Sequence, residues 1–356
     1  MNEKTVVVLG AGATKACGGP LTNEILPGAF RLRDEGQLPE DARLELSELE
    51  RFLFKNFGLP EDHNKKENNQ DLYPGLPMLL SLLDTAIERN QDYGPGWSAP
   101  KVRELRQLVE YAVDQYIERT TRNADPYHHE LVMWLNRNGG LPSIISLNYD
   151  TLVDNALRAT KPGHFPDYGC DIAPPIEDEG ARSFGKLFKI HGSLNWLYCS
   201  ACNRLEVVTT ETGVHQQAFS AAGYLCSTKR GDGSQCGARM RHIIITPTHK
   251  KRYGNPHITS VWLGAERALR EAERAILIGY SLPWDDVEVI YLLQRGLAHL
   301  RDGKRITVVE YTDRDKPKEI DKHEVGKRYA LIFGRDIDWQ PVGFREWLDF
   351  VRGKNE

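Results

Sequence analysis

Thr5-Val6-Val7-Val8-Leu9-Gly10-Ala11-Gly12-Ala13-Thr14 decides the fold. Its first half is apolar and β-branched without alternation, as expected of a strand buried on both faces. Its second half is a glycine turn leading into a helical region, the entry to many nucleotide-binding α/β folds. Outward along the chain the same grammar recurs. Ile144 to Leu147 ends at Asn148-Tyr149-Asp150, and Leu187 to Ile190 ends at His191-Gly192-Ser193. Ile243 to Ile245 ends at Thr246-Pro247, Ala275 to Ile278 at Gly279-Tyr280-Ser281, and Ile306 to Val309 at Glu310. Near-continuous apolar strands separated by helices predict a doubly wound, mostly parallel, Rossmann-like sheet covered on both faces. Ligands of such sheets bind at the carboxyl ends of the strands. Asn148, Asp150, His191, Ser193, Ser281 and Glu310 are therefore expected to converge on one crevice.

Composition narrows the function classes. Of 356 residues, 40% are hydrophobic and 27% charged, which excludes disorder of the whole chain. The net charge of -4 implies no general affinity for nucleic acid. No apolar run is long enough to cross a bilayer. Met1 to Lys4 ahead of a short apolar run does not read as a secretion signal, so a cytoplasmic location is expected.

The α/β domain is expected from residues 1–30, 141–196 and 243–356, with a helical insertion at 31–140 and a small insertion at 197–242. Leu46, Leu49 and Leu53 share one helical face, as do Val102, Leu105, Leu108, Val109, Ala112, Val113 and Tyr116 on a second helix. Residues 60–71 are polar and aperiodic and read as an exposed loop. The helix at Val261 to Leu269 and the insertion before residue 140 are candidate contact surfaces, although burial in the protein's own core explains their apolar faces equally well.

The glycine turn matches only part of G-x-G-x-x-G, since Lys15 stands at the third glycine position. Gly10, Ala11, Gly12, Ala13 and Thr14 are candidates for holding a pyrophosphate; a tight turn without ligand is the plainer reading. Histidine as a residue type titrates near neutrality, which suits His191 to general-base work, and the Asn148 amide can bond a water and a sugar hydroxyl together. Singly, each has an ordinary explanation, a satisfied core histidine and a helix N-cap. Their joint presence with the glycine turn favours a site. Cys199-Ser200-Ala201-Cys202 is a C-x2-C knuckle, and Cys226 and Cys236 follow with nine residues between them. Four thiolates from two turn-rich pairs suit a tetrahedral structural zinc; reduced, unliganded thiols are the alternative.

These residues together resemble the sirtuin superfamily. Gly10 to Thr14, Asn148 to Asp150, His191 to Ser193 and the cysteine knuckle stand in that family's order, with Gly279-Tyr280-Ser281 in the place of its later glycine-serine turn. The resemblance runs from residue 5 to about 315. The departures are equally specific. Gly18-Gly19-Pro20-Leu21-Thr22-Asn23 stands where a deacylating sirtuin carries G-I-P-D-F-R, and Leu147-Asn148-Tyr149-Asp150 replaces Q-N-I-D. With the enlarged helical insertion, this combination resembles the sirtuin-like NAD hydrolases of bacterial anti-phage defence, whereas the zinc knuckle is more typical of deacylases.

The resemblance implies cleavage of NAD, as substrate, at its nicotinamide–ribose bond. Asn148, His191 and Asp150 would be catalytic. Gly10 to Thr14, Ser193, Gly279, Ser281 and Glu310 would hold the dinucleotide, Glu310 at the adenosine ribose. Cys199, Cys202, Cys226 and Cys236 would carry zinc. An NAD-dependent lysine deacylase and a binding module without turnover are the competing expectations. A hydrolase of this kind would need restraint. A homo-oligomer, or a partner such as a helicase-type ATPase or an Argonaute-like protein, is expected to activate it, and the loop at 61–71 is a candidate cover for the crevice.

Overall fold

The computed structural model describes residues 4–38, 40–58, 73–172, 182–208, 224–244 and 255–353. The expected loop at 61–71 and the end of the apolar run at Ile245 lie outside the described residues. The chain divides into two compact units: residues 1–19, 123–244 and 252–356, and residues 20–122 with 245–251.

The first unit is built on a seven-stranded sheet. Its strands are β1 (Thr5–Leu9), β2 (Ser143–Ser146), β3 (His164–Asp167), β4 (Arg182–Lys189), β9 (Arg274–Ile278), β10 (Ile306–Val309) and β11 (Asp338–Gln340). The order is β11-β10-β9-β1-β2-β4-β3, and every pairing is parallel. Val6 to Leu9 are fully buried, and β9 and β10 are buried almost throughout, because helices cover both faces. These are α1 (Ala11–Ala16), α6 (Tyr127–Arg137), α7 (Leu152–Thr160), α8 (Pro256–Glu271), α9 (Val287–Gly296), α10 (Glu324–Phe333) and α11 (Phe344–Gly353). Val261, Ala265 and Leu269 on α8 are fully buried within the unit, so this stripe is core and not a docking face.

Register positions the site. Leu9 pairs with both Ser146 and Ile278, Ser146 with Lys189, and Val309 with Ile278. Four neighbouring strand ends and that of β10 are thus level. The chain leaves β1 toward β2 on one side, and later elements add β9 on the other. β1 therefore flanks the topological switch point, where open parallel sheets bind ligands.

One strand departs from expectation. The apolar run at Ile243 belongs to β8 (Arg239–Ile244), which pairs antiparallel with β5 (Gly192–Tyr198) in a second sheet, order β6-β5-β8-β7. The other members are β6 (Leu205–Val207) and β7 (Tyr224–Leu225). The second sheet begins at His191-Gly192. β5 begins directly after β4 through a turn far too short for a parallel crossover. Gly192 has φ 82°, and a Cβ there would stand 2.0 Å from the Ile243 carbonyl oxygen, so only glycine lets β8 close against this turn.

The second unit is helical: α2 (Ile25–Asp34), α3 (Glu40–Phe57), α4 (Leu76–Arg89) and α5 (Ala99–Thr121). Leu46, Leu49 and Leu53 are fully buried on α3, as are Val102, Val109 and Ala112 on α5, matching the apolar stripes. Phe52 meets Trp97 edge-on at 5.1 Å between ring centroids. The helical segment expected over 31–140 is divided, because α6 packs against α7 in the first unit.

Candidate functional site

Asn148 and Asp150 follow β2 and share one threonine of the glycine turn. The Asn148 side-chain amide donates to the Gly10 carbonyl at 2.9 Å and to Thr14 Oγ1 at 2.9 Å. The Thr14 hydroxyl donates in turn to Asp150 Oδ2 at 2.5 Å. Because a carbonyl only accepts, this chain settles which end of the Asn148 amide carries nitrogen. Nδ2 is spent on the fold, and Oδ1 remains as an acceptor at the strand end. Asp150 Oδ1 accepts at 3.0 Å from the Leu152 amide, the first of α7. Asn148 keeps 9% of its surface exposed, and Asp150 is buried.

His191 follows β4, the neighbour of β2, and is 4% exposed. Its Nδ1 lies 3.1 Å from the Leu147 carbonyl. Nδ1 must therefore carry the proton, and in the neutral ring Nε2 holds the lone pair. The imidazole is tied to the residue preceding Asn148, and the Tyr149 ring stands beside it with centroids 6.3 Å apart. A base nitrogen and an amide oxygen are thus set by adjacent strands at one edge of the sheet.

The glycine turn is used differently from expectation. The Gly12 amide donates to the Gly279 carbonyl at 2.8 Å, and the Ala13 amide to the Gly10 carbonyl at 2.9 Å. Both are committed to the fold and do not form an open phosphate cradle. A Cβ on Gly10 would stand 2.5 Å from the Gly279 carbonyl, and one on Gly279 (φ 64°) 2.3 Å from the Ala13 nitrogen. The glycines let the turn after β1 interlock with the turn after β9. Ala11 and Gly12 remain half-exposed, and among the described residues the Ala11 amide has no backbone acceptor. Ser281 is half-buried beyond Gly279. Ser193 is fully buried; its hydroxyl donates to Asn195 Oδ1 at 2.6 Å, so it sits beneath the edge and not on it.

Glu310 follows β10. Its Oε2 is buried with no hydrogen-bond partner among the described residues. Burial pushes its carboxyl up to about 7, opposed by the Arg328 charge. A buried carboxyl oxygen without a donor is costly, and a hydroxyl-bearing ligand would relieve it.

The four cysteines of the second sheet come together. Their sulfurs all lie within 4.8 Å of one another, with Cys199 to Cys236 at 3.7 Å and Cys202 to Cys226 at 3.5 Å. Tetrahedral zinc with bonds of about 2.3 Å would set its sulfurs roughly 3.8 Å apart, so the donor set and spacing fit the ion. Left-handed Asn203 (φ 60°) and Gly237 (φ 64°) turn the backbone at the two pairs. Cys17 is apart from them, buried with Sγ 3.2 Å from His128 Nδ1; burial, then the Asp150 charge, pushes this thiol up to about 12. Cys170 is likewise pushed up to about 12 by burial.

No family model and no curated protein matches the chain. Among solved structures it is similar to a Sir2 homolog–NAD complex, with 16% identity, TM-score 0.47, and 99% of this chain and 91% of that one covered. It is also similar to a sirtuin from work on substrate affinity, with 15% identity, TM-score 0.45 and coverage of 100% and 95%. A third is Sir2 bound to acetylated peptide, at 13% identity, TM-score 0.42, and 99% and 94%.

Sequence reading passed over Lys189, Asp154, Tyr168 and Asn195. Lys189 and Asp154 form an ion pair of 3.0 Å, both essentially without exposure. A lysine inside an apolar strand two residues before His191 was the signal available.

Proposed function

We propose that the chain cleaves NAD at the nicotinamide–ribose bond, releasing nicotinamide and ADP-ribose. The observation that carries this reading is the joined cluster of Gly10, Thr14, Asn148 and Asp150, with the His191 imidazole held one residue from Asn148. In that reaction a neutral pyridine leaves and the ribose acquires oxocarbenium character, so the site must stabilise positive charge and present water. Asn148 Oδ1 accepts from the water or a ribose hydroxyl. His191 Nε2 takes the proton. The Asp150 carboxylate supplies negative potential beside the developing charge. On the other side of β1, the Ala11 amide and the bare Gly12 approach the pyrophosphate, Ser281 a phosphate or ribose oxygen, and Glu310 the adenosine ribose hydroxyls.

Zinc at Cys199, Cys202, Cys226 and Cys236 has a structural part in this reading, as a staple of the second sheet. The cysteine cluster also favours a second reading, a lysine deacylase, whose acyl-peptide chemistry would use the same asparagine and histidine. Gly18 to Asn23, which lacks the phenylalanine and arginine of the deacylase loop, weighs against it. A role as toxic effector in anti-phage defence, restrained until self-assembly or a partner protein activates it, belongs to the leading reading. Incubation of pure protein with NAD separates the activities. Nicotinamide release without peptide supports hydrolysis, and release only with acetylated peptide supports deacylation. Tight binding without release supports a sensor.

A further inference from the structure

Lys189 ends β4, and its ammonium group is enclosed by the unit it belongs to. A lysine head has three donors and no acceptor. Here it contacts Asp154 Oδ2 at 3.0 Å, the Asp150 carbonyl, and the Tyr149 carbonyl at 3.5 Å. Asp154 lies in the first turn of α7. Its Oδ1 accepts from the Tyr168 hydroxyl at 2.5 Å and the Asn195 amide at 3.3 Å. Asn195 Oδ1 then accepts from Ser193. The network is buried, and it lies under the Asn148–Asp150 loop.

A buried ion pair is poor evidence for stability, since a well-packed apolar pair of similar volume often serves as well. An apolar pair, however, could not hold two backbone carbonyls. The loop is also held by the Leu147 amide on the Leu9 carbonyl at 2.9 Å, the Leu194 amide and the Ser193 hydroxyl on the Tyr149 carbonyl at 3.0 and 3.4 Å, the Asn148 amide on Ser146 Oγ at 3.2 Å, the Asn148 side chain on Gly10 and Thr14, and Thr14 on Asp150. From the end of β4 two more side chains reach the loop: His191 on the Leu147 carbonyl and Lys189 on the carbonyls of Tyr149 and Asp150. The strand that carries the base thereby also fixes the backbone that carries Asn148.

We propose that the buried Lys189–Asp154 pair is the positioning device of this site, holding the Asn148–Asp150 loop in register with His191. The catalytic half of the proposal rests on the NAD-cleaving reading; the positioning half does not. The test variant combines Lys189→Met with Asp154→Asn, which removes both charges together and leaves Tyr168 an acceptor. Either change alone would leave the other charge buried without its partner, so only the double variant separates positioning from misfolding. Hydrogen exchange at the Leu147, Asn148, Leu152 and Leu194 amides should quicken by about 10-fold or more, with the β1 and β9 amides unchanged. The kcat for nicotinamide release should fall by about 10-fold or more with KM within roughly 3-fold, the split expected when binding survives and alignment does not. Unchanged loop exchange, or exchange quickened equally in β1 and β9, would overturn the device. So would local loosening with undiminished kcat. If the wild-type protein releases no nicotinamide while loop exchange responds as described, the positioning stands and the hydrolase reading fails.

Discussion

Replacing Asn148 by alanine tests both halves of the site at once. The substitution removes two buried hydrogen bonds of 2.9 Å, to the Gly10 carbonyl and to Thr14 Oγ1. At a net worth of about 1 kcal/mol each, the loss is about 2 kcal/mol. A unit of this size loses roughly 2–4 °C of Tm per kcal/mol, so scanning fluorimetry should show a fall of about 4–8 °C. Asn148→Asp should cost more than alanine, because a carboxylate would face the Gly10 carbonyl with a second carboxylate, Asp150, one hydroxyl away. Nicotinamide release followed by chromatography at high enzyme concentration should drop on the order of 100-fold or more in the alanine variant, since the group that positions water is gone. A Tm within ~1 °C of wild type together with undiminished NAD cleavage would refute the reasoning.

His191→Ala should likewise reduce NAD cleavage on the order of 100-fold or more. His191→Gln, which can still donate to the Leu147 carbonyl, should keep the Tm but not the activity; turnover in the glutamine variant would show that no base at Nε2 is needed. Metal analysis should find one zinc per chain, lost with a lower Tm in Cys199→Ser or Cys226→Ser, and full zinc in either would remove these cysteines as ligands. Glu310 has its folded carboxyl raised from 4.5 to about 7, so the folded state holds a proton that the unfolded state releases. Its contribution to stability is complete below pH ~4.5 and is lost as pH rises through about 7, up to roughly 3 kcal/mol across that window. Denaturant titrations from pH 4.5 to 7.5 should show this decline in wild type and a flatter profile in Glu310→Gln; parallel profiles would contradict the assignment.

The strand ends were legible because burial on both faces leaves an unmistakable apolar run, and each run stops where polar side chains take over. Asn148, Asp150, His191 and Glu310 all fall at such stops. Strand direction is not written in an apolar run. Ile243 reads like a parallel strand, yet it pairs antiparallel with β5 opposite Ser193. The glycine turn was legible as a turn but not as an interlock, because its partner, Gly279, lies some 270 residues away along the sequence and no local pattern links them. The short strands at His164, Leu205 and Tyr224 carry too few residues for a period to register. The Lys189–Asp154 pair shows how a network hides: each charge looks like a surface residue until both prove to be enclosed.

The central claim is that the cluster at the switch point hydrolyses NAD without a protein substrate. Its most direct test is the time course of nicotinamide release from NAD by the purified protein, run with and without an acetyl-lysine peptide, with Asn148→Ala as the control. The account predicts nicotinamide and ADP-ribose in equal amounts, at a rate indifferent to peptide and abolished in the variant. Release that requires the peptide, or NAD that binds and stays intact, would contradict it.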